Sequence, residues 1–595
     1  MFISKRIAII LVVTVAVMAM AAVVITAAVT DEENSNGIFS ITVNDGTNSM
    51  TISADGHYLL PDVTRPGYVF QYWVDSDTGE MIQPEGAITS NMSVEAVWAV
   101  APVDDLDSLI MNIDNGADSI AISSDIEIDR PIFITDTVNI YSQGDHSLLR
   151  KDGYLGDLFV IGEDEDHSKP ILKGKEPMLI LGKDGQNGKL TVNGNDIASN
   201  GSAFLIVNCG KLVMNDNVTI CNFSKTGNER LLDEDHYRVS YPNNVGGSAV
   251  TIINGTFEMN GGVIENNTSS TVDESSAYCG GAIYNYSTFV MNGGVIENNT
   301  SARGGAIFNY KIIHLNAGTV KDNSVTMYGG AIYCANSQYV NVFLGSSDAA
   351  AGSVLFENNV SAKAGGVLFA KSKCTVVSYG GTTFRNNGST SSHGGVFYMA
   401  GTLNLTGSVF ENNHANSQGG AIQLHNEEDL TPREVSLRDC TFIGNRAKSG
   451  GAIYNVSKGA VVISSCTFSG NKADITSSSN GGALYLYTNS NTLIENCTIS
   501  NSMATANGGA VYTSGGAVSV FNDITATNNS AASGGFLYIT TANTDVTLRS
   551  GEITSNTANN GSFFYGNANG SRIHLGSGLI YDGTKANKFT EDVIQ

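Results

Sequence analysis

The chain has 595 residues, with 66 Gly, only 9 Pro, 42% hydrophobic and 15% charged residues, and a formal net charge of −25. The apolar share excludes a disordered acidic chain, the abundance of Gly, Asn, Ser and Thr argues against a helical one, and the negative surface disfavours nucleic acid as a partner. Eight cysteines are too few for a disulfide scaffold and show no zinc spacing, so no metal or other cofactor is expected.

Residues 1–30 open with Lys5 and Arg6 and continue as an uncharged apolar or small run from Ile7 to Val29. A cleaved signal has an apolar core of roughly 7–15 residues, whereas a spanning helix needs about 20. The run fits an N-terminal transmembrane anchor better than a signal peptide, although Ala19-Met20-Ala21 suits cleavage. Either reading exports the body. With the cations ahead of the span, the positive-inside rule puts Asp31 onward outside.

Residues 38–100 hold both tryptophans, Trp73 and Trp98. Pro66-Gly67 signals a turn, and Val94, Ala96 and Trp98 alternate with Glu95 and Val97 as in a two-faced strand. The frame Gly67-Tyr68-x-Phe70-x-x-Trp73, then Val94-x-Ala96-x-Trp98, resembles the Listeria–Bacteroides (internalin B-type) repeat. That resemblance implies a small β-grasp-like module serving as spacer or binding unit.

Residues 101–245 keep short β-rich runs, such as Ile120-Ala-Ile122, Ile126-Glu-Ile128 and Val138-Asn-Ile140. Leu106 to Met111 suits a short amphipathic helix capping a first coil, and 161–178 and 224–245 read as irregular loops.

From about residue 246 to 570 one phrase returns: Gly-Gly, a small residue, a bulky apolar residue, then an aromatic. Copies start at Gly246, Gly280, Gly304, Gly329, Gly365, Gly394, Gly419, Gly450, Gly481, Gly508 and Gly534, with a degenerate one at Asn560-Gly561. A second phrase, Phe or Ile, two residues, then Asn, precedes most copies: Ile264 to Asn267, Ile296 to Asn299, Phe356 to Asn359, Phe384 to Asn387, Phe410 to Asn413, Phe442 to Asn445 and Phe468 to Asn471. A period of about 25 residues makes one turn of three short strands. Such a turn cannot bury its apolar side alone, so turns stack about 4.8 Å apart and bring like residues into register. Gly-Gly suits a corner of positive φ, and Asn suits left-handed bends and hydrogen bonds along the stack. In Thr402–Thr406 the alternation points Leu403 and Leu405 the same way. The reading is all-β: a parallel β-helix, with 571–595 as C-terminal cap or tail.

The G-G-A-[I/L/V] and F-x-x-N phrases resemble the polymorphic outer-membrane protein repeat of chlamydiae, which also occurs in adhesin-like proteins of other microbes. The resemblance implies a right-handed, single-stranded, pectin-lyase-like solenoid displayed on a cell surface and used for adhesion. Chlamydial proteins end in a β-barrel, whereas the tail Tyr581 to Gln595 is short and polar, so anchorage is expected through residues 7–29. Expected partners are host or microbial cell-surface glycans or proteins, with the oligomeric state open.

An aromatic follows the bulky residue of nearly every Gly-Gly phrase: Tyr284, Phe308, Tyr333, Phe369, Tyr398, Tyr454, Tyr485, Tyr512 and Tyr538, with Gln423 the exception. If the bulky residue faces inward, these rings form an outer ladder that either binds sugars or proteins or serves stability alone. Asn-x-Ser/Thr triplets begin at Asn91, Asn217, Asn254, Asn285, Asn359, Asn404, Asn455, Asn528 and Asn569, as possible glycan acceptors or by chance. Cys440, Cys466 and Cys497 share one repeat position and read as buried fillers. Catalysis by a β-helix needs paired carboxylates, or calcium with a basic residue, on one wall. Asp439, Asp474 and Asp523 are isolated in sequence, Glu427-Glu428-Asp429 lies in an insertion, and His393, His414 and His425 share no repeat position. No catalytic residue is therefore expected. A carbohydrate-active enzyme and a passive envelope protein remain the alternatives to an adhesin-like protein.

Overall fold

The computed structural model describes residues 38–164, 177–185, 187–226, 246–270, 280–335, 340–346, 352–425, 434–487, 491–567, 569–586 and 590–594. The apolar run 7–29, the acidic triplet 427–429 and most of the loops expected at 161–178 and 224–245 lie outside them. Among the described residues no helix is long and apolar enough to cross a membrane. The chain divides into two compact units, at residues 1–99 and 100–595.

In the first unit, Ile38–Asn44 pairs antiparallel with Ser49–Asp55 and parallel with Met92–Val100. Tyr68–Asp75 and Met81–Ile82 complete a five-stranded mixed sheet. The turn expected at Pro66-Gly67 forms, with Gly67 at φ 78° and the Tyr68 amide donating to Arg65 O at 3.0 Å. Trp73 is buried with Ile41, Val43, Val94 and Ala96. Trp98 packs edge-on against Phe70 and donates Nε1–H to Asp45 O at 2.8 Å. The two tryptophans are thus core residues of this sheet.

The second unit is a parallel β-helix. The turn from Gly394 shows its anatomy. After the Gly-Gly corner comes Phe397–Met399, in the sheet that takes the strand behind every Gly-Gly phrase of the repeat. Thr402–Thr406 and Val409–Glu411 follow, both in a wide sheet that takes two strands per turn. Past Asn413, His414–Ala415 enters a third, narrow sheet before the next corner. Each strand pairs in parallel with its equivalent one turn on, as Phe397↔Ile422, Leu403↔Val435 and Phe410↔Phe442 do. Leu403 and Leu405 both face the core. The apolar interior runs unbroken from Val103 to Leu575.

Repeat positions become columns. Phe356, Phe384, Phe410, Phe442 and Phe468 stack inside with centroids 5.2, 4.8, 4.7 and 4.8 Å apart. The Asn of F-x-x-N forms a second column, fully buried at Asn267, Asn299, Asn323, Asn359, Asn387, Asn413, Asn445 and Asn471. From Asn299 onward each side-chain oxygen accepts from both the backbone amide and the Nδ2 of the Asn one turn earlier. For Asn359 on Asn387 these bonds are 2.9 and 3.0 Å. The second Nδ2 hydrogen goes back a turn, as from Asn387 to Phe356 O at 3.0 Å. The left-handed bend is made by the preceding residue, for example Asn358, Asn386 and Asn412, each at φ 55°. Thus the repeat needs one residue that tolerates positive φ and an adjacent amide that satisfies buried backbone groups.

The two glycines also divide the work. From Gly304 onward the first of each repeat pair carries the positive φ, 64° at Gly394 and 66° at Gly419. The second has ordinary φ but no room: a Cβ on Gly395 would collide with Gly420 O, and one on Gly420 with Gly451 O. Turns therefore approach closely along this seam.

At the front of the helix, Leu106–Asp114 is a short α-helix N-capped by Asp105, whose carboxylate accepts from the Ser108 amide at 2.7 Å. It sets Leu106 and Leu109 into the end of the core. At the back, Arg572–Tyr581 and Thr590–Ile594 continue the wide sheet. These strands, within the residues expected to form a C-terminal cap or tail, extend the stack. Ile573 and Leu575 supply its inward face, and the strand needs no Gly-Gly phrase to form.

Candidate functional site

The aromatic ladder sits on the outer face of the sheet that follows the Gly-Gly corners. In Ile283–Asn285, Ile283 belongs to the interior, whereas Tyr284 joins a separate cluster with Phe308, Tyr333 and Phe369. Strand alternation separates the two. Successive centroids from Tyr284 through Phe308, Tyr333 and Phe369 to Tyr398 lie 5.8, 4.9, 5.5 and 4.7 Å apart. Gln423 interrupts the column, 2% exposed, donating Nε2 to Gln418 Oε1 at 3.2 Å. A second stretch runs from Tyr454 through Tyr485, Tyr512 and Tyr538 to Tyr565, with spacings of 4.6, 4.5, 5.3 and 5.3 Å. Tyr565 escaped the sequence reading because its corner is the degenerate Asn560-Gly561.

Ring faces in this ladder are occupied by neighbouring rings. Tyr284 is 1% exposed and Phe308 0%, so neither offers a surface to a ligand, which corrects the binding role expected of them. Tyr333, Phe369, Tyr454 and Tyr538 are also buried, whereas Tyr398, Tyr485 and Tyr512 are half-buried. Burial pushes the Tyr454 and Tyr538 phenols up to about 12, so both stay neutral donors at physiological pH. The reason for the sealing is a flanking row that sequence reasoning passed over. Tyr286 and Tyr310 follow their ladder residues by two positions and so share their face. Tyr310 packs at 5.8 Å from Tyr284 and 5.4 Å from Phe308. On the opposite flank, Tyr328 lies 4.6 Å from Phe369. The i, i+2 pairs Tyr284/Tyr286, Phe308/Tyr310 and Tyr485/Tyr487 were the available signal.

The remaining expected positions separate clearly. Asn285, Asn359 and Asn455 are fully buried, and their amides bond within the stack, as from Asn285 to Asn309 at 2.8 Å and from Asn455 to Thr492 Oγ1 at 3.3 Å. These three are not glycan acceptors in the folded chain. Asn91, Asn217, Asn254, Asn404, Asn528 and Asn569 are exposed. Cys440, Cys466 and Cys497 are buried in one column, with the amides of Cys440 and Cys466 donating to the next sulfur at 3.4 and 3.3 Å. His393 and His425 lie on either side of Tyr398, at 6.4 and 5.2 Å. His414 belongs to the narrow sheet. Asp474 is held by Arg446 at 2.5 Å, and Asp523 accepts from Ser550 Oγ at 2.6 Å. Among the described residues no three His, Cys, Asp or Glu gather as metal ligands. A cleft of about 410 Å³ beside Leu106–Asp114 is lined by Asp129, Arg130 and Lys151. Both cations pair with Asp129 at 3.0 Å, and Asp105, Asp107 and Glu127 leave the lining acidic.

The class defined by this geometry is an extended parallel β-helix with an outer ladder of aromatic rings. Within it, residues 353–371, 407–424, 439–456 and 465–487 match the family model of the Chlamydia polymorphic membrane protein repeat. Each matched segment runs from the F-x-x-N bend through the Gly-Gly corner into the strand behind it, so these stretches are repeats of that type. Comparison with curated proteins and with solved structures gives no match.

Proposed function

We propose that the chain is a surface-displayed, adhesin-like β-helix that attaches to cells, glycans or surface proteins through the outer face of its solenoid. The observation that carries this reading is the set of polymorphic membrane protein repeats inside a continuous parallel β-helix. Together they suggest a surface or outer-membrane protein. Residues 7–29 serve as the export segment and anchor. The solenoid is right-handed, as parallel crossover connections nearly always are. The first unit acts as a Listeria–Bacteroides-type, β-grasp-like spacer, supported by its mixed sheet with a parallel central pair. No reaction is assigned to the chain.

A passive envelope role is the second reading. It draws on the same ladder, because rings that stack face to face on one another need no ligand. The deciding experiment displays the full chain on a non-adherent cell. Saturable attachment to host or microbial cells supports adhesion. Absence of attachment with the chain present at the surface leaves the passive role. Polysaccharide turnover by the purified chain would replace both with an enzyme.

A further inference from the structure

Around the first stretch of the ladder the charge reverses. Residues 280–425 hold seven Lys and Arg against five Asp and Glu, a formal +2 within a chain of −25. Three of those carboxylates are on the wide sheet and spoken for: Glu297 pairs with Lys321 at 2.7 Å, and Glu357 and Glu411 with Arg385 at 3.6 and 3.0 Å. The cations beside the rings are arranged differently. Arg303 lies 5.5 Å over Tyr333, Lys311 5.7 Å over Tyr286, and Lys363 5.6 Å over Tyr328. Among the described residues Lys311, Lys363 and Lys371 form no ion pair. Lys371 occupies the register position of Tyr286 and Tyr310 two turns beyond Tyr310, as the paired strands ending at Asn285, Asn309, Cys334 and Ala370 fix it. Tyr286 is 42% exposed and rests against Tyr310 at 5.3 Å.

We infer that this strip, from Tyr286 to Lys371, is a binding site for an acidic polysaccharide. The inference rests on the adhesin reading and names the class of ligand at the same face. Three turn spacings give the strip a length of about 15 Å, which suits an oligosaccharide segment better than one sugar. The exposed ring of Tyr286 offers an apolar platform to a sugar's C–H face, while ammonium groups on both flanks meet carboxylates or sulfates. Overall charge does not forbid this. At physiological salt, fields from exposed charges fade over about 8 Å, so a ligand lying on the strip meets the local cations before the distant carboxylates. A neutral glycan would gain nothing from those cations, and an acidic peptide would not need the ring.

The test uses the purified full chain with three probes: polygalacturonate, heparin and neutral dextran. Saturable binding of either polyanion, weakened by salt and absent for dextran, supports the inference, and the preferred polyanion tells carboxylate from sulfate. The triple change Lys311→Gln, Lys363→Gln and Lys371→Gln should weaken binding about tenfold, since each exposed charge pair contributes modestly. Tyr286→Ala should weaken it with the salt dependence retained. These side chains lie outside the core, so circular dichroism should stay unchanged. Equal binding to dextran, or polyanion binding indifferent to the triple change, overturns the inference. Cell attachment by the wild-type chain without binding of either polyanion overturns the inference alone, whereas a wild-type chain that attaches to nothing overturns the adhesin reading.

Discussion

Replacing Asn387 with Ala should cost far more than its size suggests. Asn387 ties three turns together. Its Nδ2 donates to Phe356 O at 3.0 Å and to Asn413 Oδ1 at 3.1 Å, and its Oδ1 accepts from the Asn359 amide at 2.9 Å and from Asn359 Nδ2 at 3.0 Å. In Asn387→Ala, Asn413 Oδ1 keeps the Asn387 backbone amide as a donor. Two buried donors lose their partners, the Asn359 N–H and one Asn359 Nδ2 hydrogen, and Phe356 O loses its side-chain donor. Each such group costs about 1–3 kcal/mol. Allowing for local relaxation, the loss should be about 3–6 kcal/mol. Asn387→Asp should be worse, because a carboxylate oxygen in place of Nδ2 would face two acceptors inside the protein. Asn404→Ala, on the exposed face of the wide sheet, should change stability by about 0.5 kcal/mol or less. Urea denaturation followed by circular dichroism gives the comparison, and hydrogen exchange at the Asn359 amide reports the local opening. If Asn387→Ala and Asn404→Ala fall within about 1 kcal/mol of each other, the buried amide ladder is not what fastens the turns.

Four further outcomes follow from the same columns. The ladder has a gap where Ser502 stands between Asn471 and Asn529. Ser502→Asn should restore the missing amide and raise stability by about 1 kcal/mol in the same assay, and a loss would mean the site cannot hold the longer side chain. Gly395→Ala should destabilise by about 3 kcal/mol or more because a backbone carbonyl blocks the new methyl, whereas Gly381→Ala, with φ 65° and open space around it, should cost about 1–2 kcal/mol. Burial, with His425 nearby, holds His393 below the usual value of 6.5. The unfolded chain therefore takes up a proton first, so stability should be full above pH 6.5 and decline as pH falls below it, and His393→Gln should flatten that slope in melting curves from pH 7.5 to 5. In a host that glycosylates Asn-x-Ser/Thr, mass spectrometry should find sugar at sites such as Asn254 or Asn404 and none at Asn285, Asn359 or Asn455.

Much of the fold was legible because equal spacing and stacking are one fact seen twice. Copies of F-x-x-N and Gly-Gly can share a period only if they share a position in the turn. What the period could not supply was the surroundings of each position. The ladder rings were placed by alternation, but their exposure depends on Tyr310 and Tyr328 on neighbouring turns and flanks, which a local reading does not bring together. Buried and exposed Asn-x-Ser/Thr triplets look alike in sequence. Asn404 stands on an outward position, whereas Asn359 is the inward amide of a bend, and only the register separates them. The cation strip escaped for the same reason. Arg303, Lys311, Lys363 and Lys371 are spread over 69 positions of sequence and come together only through stacking.

The Asn ladder also has a direction, since every Nδ2 that continues it donates toward the C-terminal end. Successive amides lie 24 to 36 residues apart in the chain. Under tension applied to one end, a stack held mainly by nearest-neighbour bonds gives way a coil at a time. Each rupture would release a slack segment of that length while the remaining coils keep their grip. A solenoid built in this way absorbs a sharp tug by paying out chain while its other coils stay folded.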